Sequence, residues 1–425
     1  MALELGVLAD DLTGGMMVAS LLEREGVPCP LVTSTDALRD LDENVQAVVL
    51  ARKIRLIPAL EAREEARLAA VAFREVGAKR IFYKYCATFD STAQGNIGPI
   101  AEALLEATGG ERTIFCPAFP EYTVTVFQGR MFLGQVPLGE SFKQHDPVTP
   151  MSNSNLMEVL QAQTREKVGL LSHTVLARGR AAAIAALNAQ QAKFFVVDAI
   201  DDADVSRIAE LTKHWPLTTG ADALPMFLAR TWLEDGSAKS ASRTLLTPAP
   251  GFEAVIAGSC ANATLRQLDQ FEKQHPVFRV DLLKAATTND DLLDEFVQWA
   301  RPRLTDGPLA VSTSADVAGI RYVQEKLGRD GAAAVADRIL GATAKLLHEL
   351  GVRKFVVAGG ETSGQVFRSL ELARVNVSSF DELGGGYCHA PGADPISLVL
   401  KAGALGNSEF FFTALERMQA ADSAG

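Results

Sequence analysis

Residues 6–15 read GVLADDLTGG: an unbroken apolar run ending in two carboxylates, a threonine and two glycines, followed by a helical run over Met16–Glu23. A strand that is apolar on consecutive positions is buried on both faces, as in a parallel sheet covered by helices. The run itself spans Leu5–Ala9, and the pattern recurs at Ala47–Leu50, Arg80–Tyr83, Thr113–Cys116, Phe194–Asp198, Ala254–Ala257, Leu309–Ser312 and Lys354–Ala358. Between these runs lie Ala-rich stretches with helical spacing. Ala62, Ala66, Ala69 and Phe73 share a face of Glu61–Val76, and Val335, Ile339, Ala342, Leu346 and Leu350 share a face of Asp330–Leu350. Alternating strands and helices predict an α/β architecture on mostly parallel sheets flanked by helices. At 425 residues the chain is long enough for two such units, and LLTPAPG at 245–251 breaks the pattern before a new strand. Domains of 1–247 and 248–425 follow, with a frayed tail from Ala420.

Composition narrows the function classes. Net charge is −11, from 41 Lys+Arg against 52 Asp+Glu, which argues against nucleic acid or an anionic membrane as the main partner. No stretch approaches the roughly 18 apolar residues of a membrane span, and acidic residues stand where a signal peptide needs cations. Five cysteines (Cys29, Cys86, Cys116, Cys260, Cys388) form no C-x-x-C pair, as expected of reduced thiols in a cytoplasmic enzyme. Six histidines show no H-x-x-H or H-E-x-x-H spacing, so a built-in transition-metal site is not expected.

Four stretches could carry chemistry. Asp10 and Asp11 follow a buried strand, where open parallel sheets bind ligands; a carboxylate there could orient a hydroxyl or accept its proton, or merely cap the helix. The loop TFDSTAQGN at 88–96 brings Thr88, Phe89, Asp90 and Ser91 after the third strand, suited to a polyhydroxylated ligand or to a turn and N-cap. In KFVVAGGETSGQVF at 354–367, Gly359 and Gly360 precede Glu361, Thr362 and a helix, where glycines and free amides could admit a phosphate. VIAGSCANAT at 255–264 offers Ser259 in a similar strand–helix turn, while Cys260 has no evident histidine partner for nucleophilic work. Neither the P-loop nor the dinucleotide fingerprint is present.

Together LADDLTG (8–14), TFDSTAQGNIGP (88–99), AGSCANAT (257–264), VAGGETSG (357–364) and LKAGALG (400–406) resemble the four-carbon acid sugar kinase family. CPAFP (116–120), QG (128–129) and PVTPMSNSNL (147–156) look most like its 3-oxo-tetronate kinase branch. The resemblance implies an ATP-dependent, Mg²⁺-assisted phosphotransferase whose active site lies in an interdomain cleft. It puts the sugar acid on the N-terminal domain (Asp10, Asp11, Thr88 to Ser91) and ATP on the C-terminal domain (Ser259, Gly359 to Thr362, Gly403), and leaves a homodimer open. Four places depart from the family: Gly15-Met16-Met17, GGGYCHAPG (384–392), KAGALG (401–406), and Ala51-Arg52-Lys53-Ile54, where Arg52 or Lys53 would hold the substrate carboxylate. Two other classes compete. A sugar-acid sensor descended from the kinase would lack nucleotide turnover, and a nicotinamide-dependent oxidoreductase would need the missing G-x-G-x-x-G.

Overall fold

The structure, a computed structural model, describes residues 3–424 except 43, 147–148 and 380–384, so Pro147, Val148 and Gly384 of the motifs above lie outside it. The chain separates into two compact units, Met1–Arg243 and Thr244–Gly425.

The first unit opens with β1 (Leu5–Ala9), β2 (Leu31–Val32), β3 (Ala47–Ala51), β4 (Arg80–Lys84) and β5 (Thr113–Cys116). A separate antiparallel sheet of β6 (Val124–Phe127), β7 (Arg130–Leu133) and β8 (Val136–Pro137) follows, then β9 (Val168–Leu171), β10 (Phe194–Val197) and β11 (Leu217–Gly220). The main sheet is wholly parallel, in the order β2-β3-β1-β4-β11-β5-β10-β9. Its central strands are buried along their length because helices such as Leu12–Arg24, Ala59–Glu75 and Ile97–Thr108 cover the sheet. Ala62, Ala66, Ala69 and Phe73 are the buried face of Ala59–Glu75, as their spacing predicts.

The second unit holds β12 (Phe252–Ala257), β13 (Val277–Arg279), β14 (Leu309–Ser312), β15 (Val352–Ala358), β16 (Arg374–Val377), β17 (Gly386–Ala390) and β18 (Ile396–Lys401). The order β13-β14-β12-β15-β18 is parallel, and β17 and β16 then add antiparallel strands. The two-domain, mostly parallel α/β reading therefore holds, with antiparallel additions that strand–helix alternation does not foresee. Leu268, Phe271, Phe411 and Leu415 pack with Val255, Val356 and Val399 in the core of this unit.

One helix turns a different face inward from the expected one. In Arg329–Glu349 the buried residues are Ala332, Ile339, Leu340, Gly341, Thr343, Ala344 and Leu347, whereas Val335, Ala342 and Leu346 are only half-buried. This helix packs against the sheet and against the helices Val317–Leu327 and Gly360–Ser369. Apolar residues are thus needed on more than one side, and periodicity alone cannot choose the inner one. Among the described residues no helix is long and apolar enough to cross a membrane.

Candidate functional site

In each unit the chain leaves the central strand toward one side of the sheet and later resumes on the other. The crevice at the carboxyl ends of the strands flanking that reversal is where open α/β sheets bind ligands. It falls between β1 and β4 in the first unit and between β12 and β15 in the second.

At the first crevice β1 runs into Asp10 and Asp11. Asp11 is the N-cap of Leu12–Arg24 and accepts a hydrogen bond from Gly14 N at 2.8 Å. The capping role is real, yet only Oδ1 serves it. Asp10 is 2 % exposed and pairs bidentately with Arg55, whose Nε and Nη2 donate at 2.9 and 2.8 Å. Arg55 Nη2 also lies 3.0 Å from Asp11 Oδ1. Burial alone would lower the Arg55 pKa, but the fields of Asp10 and Asp11 outweigh it and hold the guanidinium well above its usual value.

The backbone explains how Arg55 arrives there. The Asp10 carbonyl accepts from the amides of Ile54 and Arg55, and Arg52 N donates to Ala9 O. Asn96 Nδ2 clamps the same loop by donating to the carbonyls of Ile54 (2.7 Å) and Ile57 (3.0 Å). Arg52 turns elsewhere, to Glu65 at 2.7 Å and to the Thr33 carbonyl, while Lys53 is exposed. A second buried cation stands at the end of β4: Lys84 donates to Tyr85 O at 2.7 Å and lies 3.3 Å from Asp222. Burial pulls the Lys84 pKa down, and Asp222, Asp10 and Asp11 more than offset it, so the group stays charged.

The loop after β4 forms a linked polar cluster. Thr88 Oγ1 donates to Asp90 Oδ1 at 2.6 Å, and Lys143 bridges Asp90 (2.9 Å) and Asp146 (2.7 Å). Phe89 is wholly buried, in edge contact with Tyr85, and its φ of +53° turns the loop between Thr88 and Asp90. Ser91 is buried too and accepts from Gln163 Nε2 at 2.8 Å. Among Thr88 to Ser91, Thr88 and Asp90 are therefore the more accessible pair. Burial, with Asp90 beside it, pushes the Cys86 thiol up to about 11, so it is no thiolate nucleophile at neutral pH.

The second crevice gathers three strand-end loops around Ser259. Gly359, at φ +127°, occupies backbone space that side-chain-bearing residues rarely adopt, and a Cβ there would come within 3.2 Å of Ser259 N. A Cβ at Gly403 would overlap Ser259 Oγ, and one at Gly258 would overlap Thr362 Oγ1. Gly360 and Glu361 are exposed in the first turn of Gly360–Ser369, and Thr362 is buried. Neither that helix nor Asn262–Phe271 has a side-chain N-cap, so both positive ends are open. The contrast with Asp11 is direct: one crevice closes its helix end with a carboxylate, the other leaves two free.

Lys401, the last residue of β18, is fully buried beneath the Gly403 loop, and burial lowers its pKa to about 8. Between pH 8 and 10.5 the unfolded chain binds this proton and the folded chain does not, so this group makes stability rise with pH across that window. In chemical denaturation, wild type minus Lys401→Met should show that gain; equal pH profiles would contradict it.

Arg55, Lys84, Lys143 and Lys401 escaped the reading of the sequence. The available signals were a lysine closing an apolar run at YKY and at LKA, and a third cation two positions past Arg52-Lys53.

Comparison with known proteins follows the same division. A sugar-binding N-terminal domain family matches residues 5–228, and a nucleotide-binding C-terminal domain family matches 254–411. The chain is 38 % identical to the 3-oxo-tetronate kinase of Pseudomonas fluorescens, covering 97 % of each, and 37 % identical to that of Burkholderia multivorans, covering 98 % of each. It also resembles the crystal structure of a Salmonella typhimurium LT2 protein, with 32 % identity and a TM-score of 0.84 over 97 % of this chain and 98 % of that one.

Proposed function

Because the chain belongs to the four-carbon acid sugar kinase family, we propose that it transfers a phosphoryl group from ATP to a hydroxyl of a four-carbon sugar acid, of 3-oxo-tetronate, threonate or erythronate type. The observation that carries this reading is the contrast between the two crevices. Buried cations and carboxylates suit a hydroxylated acid, whereas uncapped helix ends beside closely packed glycines suit a polyphosphate.

In the acid site, Asp11 is the base that receives the hydroxyl proton. Its Oδ1 is held by Gly14 N and Arg55, and Oδ2 is left for the substrate. Asp10 acts through Arg55, fixing the guanidinium. Arg55 and Lys84 are the cations that hold the substrate carboxylate, in place of Arg52 and Lys53. Thr88 and Asp90 bind hydroxyls, while Phe89 and Ser91 shape their loop. In the nucleotide site, Ser259, Gly359, Gly360, Glu361, Thr362 and Gly403 surround the phosphates. ATP supplies the phosphoryl group, and Mg²⁺ travelling with it neutralises charge that the protein would otherwise have to offset. The five free thiols fit a cytoplasmic enzyme.

A coupled assay of ADP release over D-threonate, L-threonate, D-erythronate and 3-oxo-tetronates tests the reading; no release with any of them would refute it. Gly360→Val probes the nucleotide side. Gly360 is exposed at the first helical position, so the variant should fold normally and lose at least about tenfold in ATP affinity by crowding the amides. Unchanged affinity by calorimetry would move the phosphates away from this turn.

A further inference from the structure

Lys401 spends its ammonium on the loop that follows it. Nζ donates to the carbonyls of Ala402 and Gly403, both at 2.9 Å, and to Thr264 Oγ1 at 3.2 Å. Thr264 Oγ1 in turn donates to Gly403 O at 2.9 Å. A planar trans peptide points its C=O and N–H in opposite directions. Turning the 402 and 403 carbonyls toward the ammonium therefore turns the amides of Gly403 and Ala404 away from it. Among the described residues neither amide finds an acceptor, and Ala404 is exposed. Two successive free amides make a concavity that binds anions. Nor does a carboxylate of the described residues pair with Lys401, so a buried cation stands uncompensated beside that concavity.

We propose that Lys401 is a positioning residue which folds residues 402–404 into an anion nest for the nucleotide phosphates and supplies their counter-charge from beneath. The inference rests on the nucleotide site proposed above. It explains why a lysine with no carboxylate partner among the described residues is kept at a strand end: the compensating anion is the ligand. It also explains the tight fit of Gly403 on Ser259, which brings a second loop to the same anion.

Calorimetric titration of ATP, ADP and adenosine into the full chain tests it. Lys401→Met should lose roughly ten- to a hundredfold in ATP and ADP affinity, with adenosine binding unchanged, because only the phosphates use the nest. In turnover the loss should appear in KM for ATP more than in kcat. Thr264→Val removes one of the bonds holding the loop while leaving the cation, and should weaken ATP binding several-fold in the same phosphate-dependent way. It carries the test if Lys401→Met does not fold. Wild-type ATP affinity in the folded variants, or equal losses for adenosine and ATP, overturns the proposal. A wild-type chain that binds no nucleotide overturns the functional reading, and this inference with it.

Discussion

Asp11→Asn should lower turnover by roughly 10²–10⁴-fold and leave ATP affinity unchanged. Asparagine caps a helix about as well as aspartate, so the bond from Gly14 N and the start of Leu12–Arg24 should survive. What disappears is the basic oxygen that a substrate hydroxyl needs. Steady-state ADP release beside a nucleotide titration separates the two effects. A variant as active as wild type would remove Asp11 from the chemistry and leave it a helix cap. Asp10→Asn should behave differently, because both Asp10 oxygens are committed to Arg55. Its effect should fall on the KM for the acid through a looser guanidinium.

Arg55→Met should be the most damaging single change in the first unit. Removing one partner of a buried ion pair leaves the other charge uncompensated, at a cost of about 3–5 kcal/mol. Asp10 is the group left stranded, since it is 2 % exposed and both of its carboxylate oxygens bond to Arg55. Denaturant unfolding should show this loss, and Asp10→Asn in the same chain should restore part of it by removing the stranded charge. Acid binding should fall in both variants. Arg52→Ala and Lys53→Ala are the controls: Arg52 is taken up by Glu65 and Thr33, and Lys53 is exposed. Should those two lose the acid while Arg55→Met retains it, the carboxylate assignment belongs to them after all.

These expectations separate what is local from what is not. Asp10-Asp11 and Gly359-Gly360 were legible because a buried strand, a strand-end cluster and a helix start are all written within about ten consecutive residues. The departure at 51–54 was legible too, but the cation beside it that pairs with Asp10 was not. Arg55 lies in an irregular loop with no periodicity, and its direction is set by the Asp10 carbonyl and by Asn96, partners that stand 45 and 42 residues away for their respective contacts. Lys84 and Lys401 read as strand residues with a charge out of place. Only the sheet reveals that each closes a strand beside a crevice.

The sequence by itself determined the α/β class, the two units, the edge of each sheet that carries polar loops, and the family. The first three depend on hydrophobic burial and backbone conformation, which consecutive residues report directly, and the family rests on the resemblance of five motifs. The tertiary structure decided the strand order, hence the crevices between β1 and β4 and between β12 and β15, and with it which cation meets which carboxylate. It also decided that one helix end is closed by Asp11 and two others stand open. A charge acts over a few ångströms of space, and in a parallel sheet the neighbours across that distance are brought together by crossover connections of dozens of residues.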